Sequence, residues 1–152
     1  MHTAFQDTYA DKYSHCYGCG KLNPHGHQLK SHWDGDGTVA RYTPRPEHSG
    51  GVPGHVYGGL IASLLDCHGT ASAAAFARRA EARSPGGGKS SARYVTTSLR
   101  VDFRRPTPMG TELLITGRLR NLEGRKVWVD LALSAQGEIC AEGEMLALRL
   151  PG

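Results

Sequence analysis

An α+β fold, with an antiparallel sheet of about six strands wrapped around one long central helix, is predicted from three observations. First, the stretch Pro53–Ala77 is apolar or small almost throughout, and between Val56 and Ala77 its one formally charged side chain is Asp66. A helix apolar on nearly every side belongs inside a fold. Second, the segments after Arg93 alternate apolar and polar residues with the period of two that marks half-buried strands. Third, those segments are joined by Gly-containing connections of hairpin length.

Taken in order, residues 1–27 read as an N-terminal arm without clear period, carrying the turn Cys16-Tyr17-Gly18-Cys19-Gly20, and residues 28–152 as the core of a single domain. Gln28–Trp33 and Thr38–Thr43 are strands around Asp34-Gly35-Asp36-Gly37, a strong hairpin signal. Pro44 to Gly54 holds three prolines and three glycines and reads as a loop. The helix is expected over Gly58–Ala82, its charged last turns reaching solvent, and Ser84 to Ser91 breaks it. Tyr94–Arg104, Glu112–Leu122, Lys126–Ala135 and Glu138–Leu150 are strands, the last three a meander, for an order β-β-α-β-β-β-β. In Tyr94–Arg104 the alternation puts Val95, Thr97, Leu99, Val101 and Phe103 on one face, with Thr96, Ser98, Arg100 and Asp102 on the other.

Composition narrows the function. A chain of 152 residues with net charge +4 is too weakly basic for a nucleic-acid binder but suits a small polyanionic ligand. Apolar runs stay below the 18 or so residues of a membrane span. No basic-then-apolar leader opens the sequence, and four cysteines without one imply reduced thiols, so a cytoplasmic protein is expected. Cys16-x-x-Cys19 is half of a zinc site, with His15, His25 and His27 as the available partners; the favoured reading is a tight turn with small thiols and no metal. Cys67 reads as a small core residue, and His68, about 200° around the helix from Asp66, as a packed or hydrogen-bonded histidine.

The layout resembles the hotdog fold, and three motifs sharpen the resemblance. Gly54-x-x-Tyr57-Gly58-Gly59-Leu60 with Asp66 is similar to the G-x-x-H-G-G…D/E signature of PaaI-like acyl-CoA thioesterases, related to the 4-hydroxybenzoyl-CoA thioesterase type. Ser98-Leu99-Arg100-Val101-Asp102-Phe103-Arg104-Arg105-Pro106 is similar to the family's S-L-x-V-x-F-x-R-P strand. Cys16-x-x-Cys19-Gly20-x-x-Asn23-Pro24-x-Gly26 resembles a subset of the family. Tyr57 stands where the family commonly has His; a phenol also donates a hydrogen bond. The resemblance implies hydrolysis of an acyl-CoA thioester to acid and CoA, without cofactor, by a homodimer or dimer of dimers.

The chemistry is consistent with the residues. Gly58 and Gly59 open a helix, where backbone N–H groups lack intrahelical partners and the dipole favours negative charge. Glycine admits a close ligand, and the resemblance implies that Gly58 is the oxyanion donor. Asp66 is the candidate base or nucleophile, with Thr70 one turn on to hold the carboxylate or the attacking water. Ala62, Ser63, Gly69, Ala73 and Ala77 keep the Asp66 face small. Tyr57, Gly59, His55 and Ser98 are candidates for supporting polar contacts, with His48 a weaker one. Arg104 and Arg105, then Lys89, Arg93, Arg125 and Lys126, are candidates for the CoA phosphates. Gly58 and Asp66 lie eight positions apart, about 12 Å along a helix. One chain cannot bring both to one thioester, but two antiparallel helices across a twofold axis can. Two rivals are a non-catalytic acyl-CoA binding module and a hydratase or dehydratase, which needs an acid–histidine pair at the helix start.

Overall fold

The computed structural model describes residues 3–86 and 92–151. Lys89 and the middle of the Gly-rich connector lie outside the described residues. The strands are β1 (Ser31–Asp34), β2 (Gly37–Tyr42), β3 (Tyr94–Phe103), β4 (Leu113–Glu123), β5 (Lys126–Ala135) and β6 (Glu138–Arg149), with the helix α1 (Gly58–Arg83) between β2 and β3. The sheet is antiparallel throughout and runs β1-β2-β4-β5-β6-β3. Because β2 and β3 sit far apart in this order, α1 must cross the sheet between them. This is the hotdog arrangement that the motifs imply.

Local chemistry accounts for the connections. The β1–β2, β4–β5 and β5–β6 hairpins each close over two residues. Gly35, Gly124, Gln136 and Gly137 take the positive φ that such short hairpin turns demand. One boundary departs from expectation: β1 begins at Ser31, not Gln28. Gln28 has φ +52°, and the Leu29 N–H donates to the Gly18 carbonyl at 3.1 Å. The Cys-rich turn thereby captures the residues that alternation alone would give to the strand.

The core is the sheet's concave face closed on α1. Leu60, Ile61, Leu64, Leu65 and Phe76 pack against Leu113, Ile115, Val127, Val129, Leu133 and Met145. Burying an aliphatic side chain of that size stabilises by roughly 1.5–3 kcal/mol. By length and composition α1 could cross a membrane, a property the apolar-run criterion passed over, but 78% of its most apolar window is buried inside the fold. Sheet, not lipid, covers it.

The N-terminal arm is seated on the same assembly. Phe5 packs edge-on to Trp33, which meets Phe76 of α1, and the Arg79 guanidinium stacks 3.2 Å over Trp33. Beneath lies a buried polar network. Gln6 accepts from the Ser31 N–H at 2.8 Å and donates to the Ser31 hydroxyl, which lies 2.8 Å from His68 Nδ1. His68 Nε2 meets the Thr38 hydroxyl at 3.0 Å, and Thr38 meets Ser72 at 2.7 Å. His68 is therefore the hydrogen-bonded histidine expected, and burial pushes its imidazole down to about 4.

Candidate active site

The sequence of α1 decides where its one acid sits. Leu64 and Leu65 are drawn fully into the core, leaving Asp66 half-buried beside the sheet edge formed by β3. There the Thr96 hydroxyl donates to Asp66 Oδ1 in a short hydrogen bond. Alternation places Thr96 on the face opposite Leu99, and the reason it reaches Asp66 is a β-bulge. Thr96 pairs with Ala147 while Ser98 pairs with Leu146, so Thr97 is an extra residue. The bulge reverses the parity of the strand. Tyr94, Leu99 and Val101 all pack on the core, and Val95 is exposed.

Several predicted contacts change accordingly. Ser98 is exposed and lines a shallow depression with Arg100, Arg120 and Trp128, apart from Asp66. Thr70 does not hold the carboxylate. Its hydroxyl donates back to the carbonyls of Asp66 (3.2 Å) and Cys67 (3.3 Å), the usual option for a helical threonine. Ala73 and Ala77 are covered by the core, so the space beside Asp66 opens instead toward Cys67, Ala71 and Ala74. These residues form one wall of a groove of about 1180 Å³, whose other walls come from the N-terminal arm and the ends of β3 and β6.

The groove is cationic at its far end, but not through the arginines expected. Arg104 is paired with Asp102 and Glu142, and Arg105 with Glu138, on the surface. Arg125 donates to the Arg149 carbonyl. Arg78 and Arg93 line the groove, and neither has a carboxylate partner among the described residues; Arg93 lies 3.8 Å over the Tyr13 ring. Of the predicted phosphate partners among the described residues, only Arg93 lines this space.

At the start of α1 the donors are free. The Tyr57 carbonyl accepts from Leu60 and Ile61, no side chain caps the helix, and among the described residues the Gly58 and Gly59 N–H groups have no partner. Tyr57 and Phe103 are both more than half exposed there. A Cβ on Gly59 would lie 2.3 Å from the Tyr57 ring, so glycine is what lets that ring fold over the helix end; one on Gly58 would meet Phe103 at an ordinary 3.5 Å. His55 is exposed in the preceding loop, and His48 is buried, accepting from the Arg45 N–H at 3.0 Å. Gly58 and Asp66, as the spacing requires, belong to separate regions of one chain.

One cluster was missed. Cys67 is brought against the arm, its Sγ 3.8 Å from that of Cys16, and with Cys19 the three sulfurs lie within 4.8 Å of one another on the groove wall. All are free thiols. Hydrogen bonding from Cys19 and Cys67 holds the Cys16 sulfur well below the usual thiol range, and the Cys16 sulfur in turn pushes the Cys19 and Cys67 thiols up. Among the described residues no histidine joins the three sulfurs, and His27 meets Tyr17, Tyr42 and His48 edge-on instead. No local pattern links Cys67 to the C-x-x-C turn, since 51 residues separate it from Cys16.

The model of the thioesterase superfamily matches residues 53–142, the span from the loop before α1 into β6. A solved thioesterase superfamily protein from Shewanella loihica PV-4 is 45% identical, covering 94% of this chain and all of that one, with TM-score 0.69. Escherichia coli PaaI, from the phenylacetic acid degradation operon, shares the fold at 19% identity and TM-score 0.63, over 78% of this chain and 76% of that one. Rat acyl-coenzyme A thioesterase THEM4 is 29% identical over 66% of this chain, which spans only 37% of that relative's length. With a match over most of its core and a relative aligned along nearly its whole length, the chain belongs to the thioesterase superfamily.

Proposed function

We propose that the protein hydrolyses an acyl-CoA thioester to a carboxylic acid and CoA, in sites shared between two antiparallel copies of α1. The observation that carries this reading is the division of labour along the helix: a Gly58 N–H without a partner among the described residues at its start, and an Asp66 carboxylate opening on a groove eight residues later. The thioester oxygen would sit on Gly58 of one protomer, while Asp66 of the other attacks the carbonyl carbon or takes a proton from the attacking water. The ten-residue strand β3 supports such pairing, being a sheet edge that exposes Val95 and Phe103. Arg78 and Arg93 suit the CoA phosphates by charge and by having no ion-pair partner among the described residues. The THEM4 relative's name agrees with the substrate class.

The test is thiol release from a panel of acyl-CoAs by wild type, Asp66→Asn and Asp66→Ala. Loss of a general base is expected to lower kcat about 10²–10⁴-fold. Hydrolysis equal to wild type in both variants would refute the assignment. CoA binding without turnover in wild type would favour the binding-module reading instead.

A further inference from the structure

We propose that Cys16, Cys19 and Cys67 bind a zinc ion as a three-thiolate site whose fourth position opens on the groove beside Asp66. The sulfur geometry fits the metal. Zn–S bonds of about 2.3 Å at tetrahedral angles place the sulfurs about 3.8 Å apart. Cys16 and Cys67 stand at 3.8 Å, and no pair in the trio exceeds 4.8 Å. A disulfide would need about 2.05 Å, so the pair as placed is spaced for a shared ion and not for a covalent bond.

The surrounding backbone is built to hold this arrangement. The Gly20 N–H donates to the Cys16 carbonyl at 2.8 Å, closing the turn so that both sulfurs point the same way. The Gly18 N–H points at Cys16 Sγ from 3.3 Å, a bond that stabilises a thiolate. Two cross-links, His27 N–H to Tyr17 O (2.8 Å) and Leu29 N–H to Gly18 O (3.1 Å), pin the turn from behind. A Cβ on residue 18 would lie 2.2 Å from Cys67 Sγ, so glycine there is what admits the helix thiol to the turn. Rigid support of this kind lets ligands converge without a folding penalty at binding.

Thiolate donors select zinc over hard cations. Binding exchanges protons for metal: each thiol that ligates releases its proton, and no electron is transferred. The three sulfurs line the groove together with Asp66 and Thr70, so the remaining position is filled by water or by an oxygen or sulfur donor of whatever occupies the groove. The ion would also tie the N-terminal arm to the middle of α1. This inference does not depend on the thioesterase reading.

The experiment uses the full chain. Zinc content is measured after purification without chelators, and the reduced metal-free chain is titrated with Co2+, whose thiolate charge-transfer absorption reports sulfur ligation. The expected result is about one zinc per chain and a saturable Co2+ band reversed by Zn2+. Cys16→Ser, at an exposed position, should weaken Co2+ binding more than about tenfold and abolish the zinc-dependent rise in melting temperature. Gly18→Ala should weaken it while leaving all three thiols in place, and Cys140→Ser should leave it unchanged. A Co2+ titration without the charge-transfer band in fully reduced protein would overturn the proposal. So would full-strength binding in Cys16→Ser, or recovery of a Cys16–Cys67 disulfide in a chain that takes up no metal when reduced.

Discussion

Thr96 and Asp66 are 30 residues apart in sequence, yet the threonine hydroxyl donates directly to the carboxylate. The bulge at Thr97 makes this possible, because it turns Thr96 toward the helix without disturbing the core contacts of Leu99 and Val101. A hydrogen bond to a charged group is worth about 1.5–3 kcal/mol. Thr96→Val is therefore expected to lower kcat for acyl-CoA hydrolysis about 10- to 100-fold, and Thr96→Ser to restore most of it. Steady-state kinetics on the three proteins decides this; wild-type kcat in Thr96→Val would remove Thr96 from the site.

Replacing Gly58 by proline isolates the role of its N–H. Tyr57 has φ −59° and ψ 128°, a conformation that a following proline accepts, and proline is tolerated at the first helical position. Gly58→Pro should therefore keep the helix and delete one donor, with kcat lowered about 10²–10³-fold. Gly58→Ala retains the N–H and should be far closer to wild type. Equal activity of the two variants, with circular dichroism unchanged, would speak against the oxyanion role.

A shared site has an arithmetic consequence. If each site joins Gly58 of one protomer to Asp66 of its partner, mixing Gly58→Pro with Asp66→Asn regenerates one intact site in every mixed dimer. Random subunit exchange should then recover about a quarter of wild-type activity from two inactive proteins. Failure to recover activity, with exchange verified by native mass spectrometry, would place both groups in one chain's site.

His68 predicts an acid limb in stability. Its folded value, about 4, lies below the usual histidine value, so the unfolded chain binds the proton first. Its contribution is complete above about pH 6.5 and is lost as pH falls toward 4, on the order of 3 kcal/mol in all. Urea unfolding at pH 7 and pH 4.5 should show the loss, and His68→Gln should reduce the difference. Gly117→Ala should destabilise at every pH, because its Cβ would lie 2.5 Å from the Thr38 hydroxyl in the same network.

Much of this was legible from local patterns. The helix was expected over Gly58–Ala82 and runs Gly58–Arg83; the strands of the meander match to within two residues at either end. Apolar periodicity and turn chemistry act over a few neighbours, so a linear reading captures them. That Gly58 opens the helix, and that Asp66 is the lone charge in its apolar run, are likewise local features.

What the sequence by itself determined, then, is the set of elements, the helix that must be buried, and the eight-residue spacing that separates donor from acid. Tertiary structure decided which side chains meet. Thr96 in place of Thr70 holds Asp66 because one inserted residue inverts a strand's two faces, a change that alternation cannot register. Arg78 and Arg93 face the groove while Arg104 and Arg105 are spent on surface acids. Cys67 joins Cys16 and Cys19 because the arm folds back over α1. Each of these is a contact across many residues, set by how the sheet closes on the helix, and no short stretch of sequence carries that information.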